Sequence, residues 1–166
     1  KYAMMELEMS SAMSREHLLN EFVVMQRPFY DFILIDCPPN VGLFVLNALT
    51  ASDSVLIPVK LEDLSIDGLQ QLIQTIGMAK RRLNYNLEIE GILFTIVETN
   101  TVLARNSIEA IREAYGEHVH IYDFVIPKSV KAAECPGSGT SIYKYDPNGK
   151  VAKAYEVLTK EVLSNV

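Results

Sequence analysis

The stretch Tyr30 to Gly42 reads Tyr-Asp-Phe-Ile-Leu-Ile-Asp-Cys-Pro-Pro-Asn-Val-Gly, and Asp36 is its one residue with an obvious chemical use. Four apolar residues, Phe32 to Ile35, lead straight into that carboxylate, and Pro38 and Pro39 follow almost at once. A short run of branched residues predicts a strand buried on both faces of a parallel sheet. Prolines cannot donate to a ladder, so the strand must stop there. Asp36 is thereby placed at the carboxyl end of a central strand, where open α/β sheets bind ligands. A single fixed carboxylate in such a place can hold a hydrated Mg²⁺ beside phosphates, because Mg²⁺ prefers oxygen and keeps most of its waters. The competing expectation is an Asp that caps the next turn or helix.

The elements that must position this residue follow from periodicity. Ser14 predicts a helix cap, with Leu18, Leu19, Phe22 and Val23 inward up to Met25. Met5, Leu7 and Met9 alternate with Glu6 and Glu8 as in a half-exposed strand. A helix begins near Val41, a strand covers Ser54–Val59 and ends at Pro58, and a long helix carries Leu69, Leu72, Ile73, Ile76 and Met78. Lys80, Arg81 and Arg82 close that helix, where cations suit its dipole. Leu87–Val97 is a third strand. A helix over Thr101–Tyr115 turns Leu103, Ile108 and Ile111 inward, and His118–Ile126 is a fourth strand. Lys128–Gly149 is loop-rich, and Lys150–Val166 is an amphipathic helix with Ala154, Val157, Leu158 and Val162 inward. Helices alternating with apolar strands predict one domain over 1–166. Its expected fold is α/β, a doubly wound, mostly parallel sheet with helices on both faces.

Composition narrows the function classes. The net charge of −6 gives no general support for a nucleic-acid binder. It is uneven, however: residues 126–166 hold six Lys against four acidic residues, a net of +2, while the remainder stands at −8. Cys37 and Cys135 are far apart and make no CxxC, which argues against a zinc site or disulfide framework and suits a reducing cytoplasm. No apolar run reaches membrane-spanning length.

Four apolar residues and a terminal Asp form a Walker B arrangement, and Asp36-Cys37-Pro38-Pro39 after them resembles the ParA/Soj family of deviant Walker ATPases, relatives of MinD. Further segments match the family in order: 9–16, 47–59, 87–93, then Ile126-Pro127-Lys128-Ser129-Val130-Lys131, Glu134-Cys135-Pro136 and Tyr145-Asp146-Pro147. The resemblance implies a P-loop NTPase-like fold and an ATP- and Mg²⁺-dependent partitioning ATPase acting on chromosomes or plasmids. It further implies a homodimer in the ATP state, nonspecific DNA binding, a ParB-type partner and a cytoplasmic, nucleoid-associated location without stable membrane binding. By position, Asp36 would hold Mg²⁺ through water, and Cys37, Pro38 and Pro39 would belong to a switch loop that senses the γ-phosphate. Pro127, Lys128 and Ser129 would line the adenine pocket, largely through main chain. Lys131 stands where the family has a DNA-contact arginine. Asn100 replaces a second one, for which Arg105, a turn further on, is the expected substitute.

The family's Lys-Gly-Gly-x-Gly-Lys-[Ser/Thr] loop is absent from these residues, and Pro136-Gly137-Ser138-Gly139-Thr140-Ser141 has no lysine before its hydroxyls. The expectation is therefore the C-terminal two-thirds of such an ATPase, without its P-loop unit and inactive alone. Two other readings are a nonenzymatic interaction module of the same fold and a MinD-like membrane-associated ATPase.

Overall fold

The computed structural model describes residues 9–62 and 66–165. Helices α1 (Leu18–Gln26) and α2 (Leu43–Ala51) precede strand β1 (Ser54–Lys60). Helix α3 (Ile66–Arg82) leads to strand β2 (Glu88–Thr95). Then come α4 (Val102–Tyr115), the short α5 (Val130–Glu134) and α6 (Ile142–Tyr145), and α7 (Lys150–Ser164). β1 pairs with β2, and parallel bridges join Ile92 to Ile121 and Val97 to Pro127. Strands joined through helices in this way make a parallel α/β fold.

The chain divides into two compact units, residues 1–55 with 65–89, and residues 56–64 with 90–166. In the first, α2 is the buried centre: Val45, Asn47, Ala48, Leu49, Thr50 and Ala51 are all inside. Asn47 is tolerated there because its amide is fully used. It donates to Arg15 O (2.8 Å) and Leu43 O (3.0 Å) and accepts from Leu19 N–H (3.0 Å). Asn84 donates to Leu49 O and Ser52 O, satisfying carbonyls that the end of α2 leaves open.

The second unit is built on Leu93, Tyr122, Ile126 and Val151, with Leu56, Phe124, Ile142 and Leu158 packed against them. Gly91 permits this packing, since a Cβ there would lie 2.8 Å from Tyr122 Cε2. The Tyr122 side chain is wholly buried, and its hydroxyl finds no hydrogen-bond partner among the described residues. Burial, then the nearby carboxylates of Glu90 and Glu161, push this phenol up to about 12. A phenol that ionises near 10 when unfolded and near 12 when folded holds its full stability below pH 10 and loses it as pH rises between the two. Wild type should therefore lose about 1.4 kcal/mol by pH 11 relative to Tyr122→Phe. At pH 7 the Phe variant should be neutral or more stable by about 1 kcal/mol, the orphaned hydroxyl having gone. Urea melts of both proteins at pH 7 and 11 check this; parallel pH curves would contradict it.

Several local expectations change. Phe32–Ile35 forms no strand, and it is not buried: Leu34 is 93% exposed. A strand needs a ladder, and no described segment forms one with it. Pro58 does not end β1 but sits inside it; among the described residues β1 pairs only with β2, and an edge strand permits a proline because one side needs no donor. The His118–Ile126 run makes only isolated bridges. Its backbone pairs with β2 at Ile92 and Phe94 but is interrupted at Asp123 and Phe124.

Helix α1 starts at Leu18 rather than at a Ser14 cap; Ser14 takes a left-handed φ of 51° instead. Phe22 is 56% exposed, and only Val23 of that face is buried. Leu103 is 78% exposed because α4 buries Ala104 and Ile111, and Val157 likewise faces out of α7. The Met5–Met9 strand falls mostly outside the described residues, and Met9 itself is helical.

Candidate functional site

Asp36 follows the apolar Phe32–Ile35 segment and is exposed. Its carboxylate makes no hydrogen bond or ion pair among the described residues. It does not cap α2, whose N-cap is Gly42 with no side-chain cap bond. The capping explanation for Asp36 thus has no support in the geometry. Cys37 donates weakly to Ile35 O (Sγ···O 3.8 Å). Partial burial, then the neighbouring Asp36 charge, push its thiol up, so Cys37 is a neutral loop residue at pH 7 and a poor nucleophile. Pro38 and Pro39 are exposed. Among the described residues no three His, Cys, Asp or Glu side chains gather into a metal cage. A lone free carboxylate fits a hydrated Mg²⁺ only where phosphates supply further ligands.

The second unit carries an open cleft of about 460 Å³, lined by residues 97–101, 127–130 and Lys150. It begins where β2 ends. Ile96 takes a φ of 55°, a left-handed conformation that costs a β-branched residue roughly 1–3 kcal/mol. Val97 then donates to Ile126 O (3.1 Å), and Lys128 N–H to Val97 O (3.0 Å), so the two walls are laced by main chain. Lys128 Nζ donates to Glu98 Oε1 (2.5 Å) and Glu62 Oε1 (3.4 Å), contacts that push its pKa up, the Glu98 hydrogen bond most of all. Lys128 therefore meets a phosphate only by exchanging these carboxylates for it. The Ser129 hydroxyl accepts from Ala132 N–H (3.4 Å) and caps α5. Besides backbone groups, the lining leaves the side chains of Thr99, Asn100 and Lys150 to a ligand.

The structure does bring Pro127, Lys128, Ser129 and Asn100 to one cleft. Sequence reasoning missed Glu98 and Glu62, whose only signal is their charge, and Ile96, which has none. Lys131 donates to Asp146 Oδ1 (2.9 Å), and this hydrogen bond raises its pKa. Arg105 is exposed on α4 with no side-chain partner among the described residues.

A sequence model described as "AAA domain" matches residues 1–89, more than half of the chain. Over 160 residues the chain is 41% identical to "Sporulation initiation inhibitor protein Soj" of Bacillus subtilis (strain 168), covering 96% of this chain and 62% of that protein. The chain belongs to the ParA/Soj-type P-loop ATPase family. Another family member, "Chromosome partitioning protein ParA" of Myxococcus xanthus (strain DK1622), is 37% identical over 158 residues, 95% of this chain and 55% of that protein. The chain thus spans less than two thirds of either relative. Among solved structures, cobyrinic acid a,c-diamide synthase from Mycobacterium smegmatis superposes with a TM-score of 0.81 at 25% identity, over 97% of this chain and 58% of that one. The same enzyme with bound ATP analogue and magnesium gives 0.69 at 27% identity, over 75% and 50%. No helix among the described residues is long and apolar enough to cross a membrane.

Proposed function

We propose that this chain is the Walker B and C-terminal part of a ParA/Soj-type partitioning ATPase. The observation that carries the reading is the free, exposed carboxylate of Asp36 at the family's Walker B position, in a chain that resembles Soj along nearly its whole length. In the intact protein Asp36 would hold hydrated Mg²⁺ beside the ATP phosphates, and the bound ion would neutralise charge on them. Cys37, Pro38 and Pro39 would couple that site to the start of α2. Pro127, Lys128 and Ser129 would receive the adenine through the backbone of the cleft, with the Lys128 side chain paired to Glu98 and Glu62.

Dimerisation, a ParB-type partner, nonspecific DNA binding and a cytoplasmic, nucleoid-associated location belong to the same reading. A MinD-like lipid contact is disfavoured by α7, where Glu156 pairs with Lys160 (3.4 Å) on an exposed face. DNA would meet Lys131 and Arg105, both exposed. Removing one cation from a DNA phosphate should lower the salt slope of binding by about 1. In the intact ATP-bound dimer, where the site occurs twice, Lys131→Ala should weaken binding to any duplex and lower the slope by up to about 2. Exposed, uncharged Asn148→Ala, in the turn between α6 and α7, is the control. Fluorescence anisotropy over a salt series measures both; an unchanged slope with nucleotide binding preserved would remove Lys131 from the DNA surface.

A further inference from the structure

The Lys131–Asp146 pair is lopsided. Lys131's side chain is 60% exposed and Asp146's only 22%. Asp146 is anchored by backbone bonds on both sides: its N–H donates to Ile142 O (2.9 Å) and its carbonyl accepts from Gly149 N–H (2.9 Å). Its carboxylate is pressed against Gly149, where a Cβ would lie 2.1 Å from Oδ2. Gly149 is the N-cap of α7, so the carboxylate also sits near the positive end of a fifteen-residue helix. The aspartate is a fixed anion and the lysine its movable partner. Arg105 has no such anchor.

We propose that Asp146 is an internal competitor of DNA: its carboxylate takes the position at the Lys131 ammonium that a backbone phosphate would take, and binding must first loosen this pair. This rests on the reading of Lys131 as a phosphate contact. It makes Lys131 a latched contact and Arg105 an open one, so the affinity for DNA is held below what the two cations could give. An exposed ion pair is worth little in water, which makes such a latch easy to open and limits its effect to a few-fold per site.

The test is a double-mutant cycle in the intact protein, loaded with a nonhydrolysable ATP analogue and titrated onto a duplex of arbitrary sequence. Wild type, Asp146→Asn, Lys131→Ala and the double variant are compared. Asp146→Asn should tighten binding by roughly two- to five-fold per copy of the site, and Lys131→Ala should remove that gain. Equal tightening with and without Lys131 would reduce Asp146 to a diffuse negative charge and overturn the latch. So would an Asp146→Asn variant that binds like wild type while Lys131→Ala weakens binding, a result that leaves the DNA role of Lys131 standing. Undiminished binding by Lys131→Ala would instead remove the DNA role, and the latch with it. Should Asp146→Asn prevent folding, Asp146→Ser carries the same cycle with a smaller uncharged side chain.

Discussion

The 166-residue chain mixed with ATP and Mg²⁺ is expected to release no phosphate above the buffer rate. A P-loop supplies the amides and the ammonium that hold the β- and γ-phosphates, and none of these residues replaces it. The glycine-rich stretch at 136–141 is no substitute. It forms a 3-10 turn over Cys135–Ser138 and a left-handed Gly139 (φ 61°), and the helix after it has only four residues. The Ser138 hydroxyl is spent on Cys135 O (2.7 Å), and Thr140 O accepts from Cys135 Sγ (2.8 Å). Lys128 pairs with Glu98 and Glu62 and Lys131 with Asp146, and neither lysine stands in a glycine-rich loop ahead of a hydroxyl residue as a P-loop lysine does. A phosphate-release assay with an Asp36→Ala control decides the matter. Mg²⁺-dependent turnover that disappears in that variant would show that these residues carry a complete site.

In the intact protein, Asp36→Ala should lower ATP turnover by roughly a hundred-fold or more, the usual loss when a preorganised electrostatic contact to the reacting group is removed. Its thermal stability should hardly move, because an exposed carboxylate without partners contributes within about 0.5 kcal/mol. The two readouts separate the chemical role from a structural one. A large drop in Tm with turnover retained would make Asp36 a folding residue.

The sequence shows the order of α/β elements because each apolar run has its own period: α2, β1, α3 and β2 are all found close to where the pattern puts them. It does not show what lies beside a run. Phe32–Ile35 has the composition of a central strand, but burial and hydrogen bonding depend on neighbours, and here Leu34 stays 93% exposed. Leu103 and Phe22 fail for a related reason: a helix stripe is wide, and packing decides which edge of it is covered. Pro58 is readable as a residue that cannot donate, but not as one on an unpaired edge.

The candidate site divides the same way. Asp36 and the Pro127–Ser129 segment are local signals. The pairing of Lys128 with Glu62 and Glu98, and of Lys131 with Asp146, spans 66, 30 and 15 residues and appears only once the chain is folded. Ile96 is hidden more deeply still, since nothing in a β-branched residue announces a left-handed backbone. That left-handed residue stands between the end of β2 at Thr95 and the first lining residue, Val97.

The central claim is that Asp36 holds the divalent ion that accompanies ATP. Mn²⁺ can stand in for Mg²⁺, and its free fraction is read directly by electron paramagnetic resonance in the presence of the intact protein and ATP. Asp36→Asn keeps the size of the side chain and removes its charge. The account predicts that this variant binds ATP but holds Mn²⁺ in the protein–ATP complex at least about ten-fold more weakly, in line with the removal of a charged ligand worth more than about 1.4 kcal/mol. Equal Mn²⁺ affinity in wild type and Asp36→Asn would contradict it.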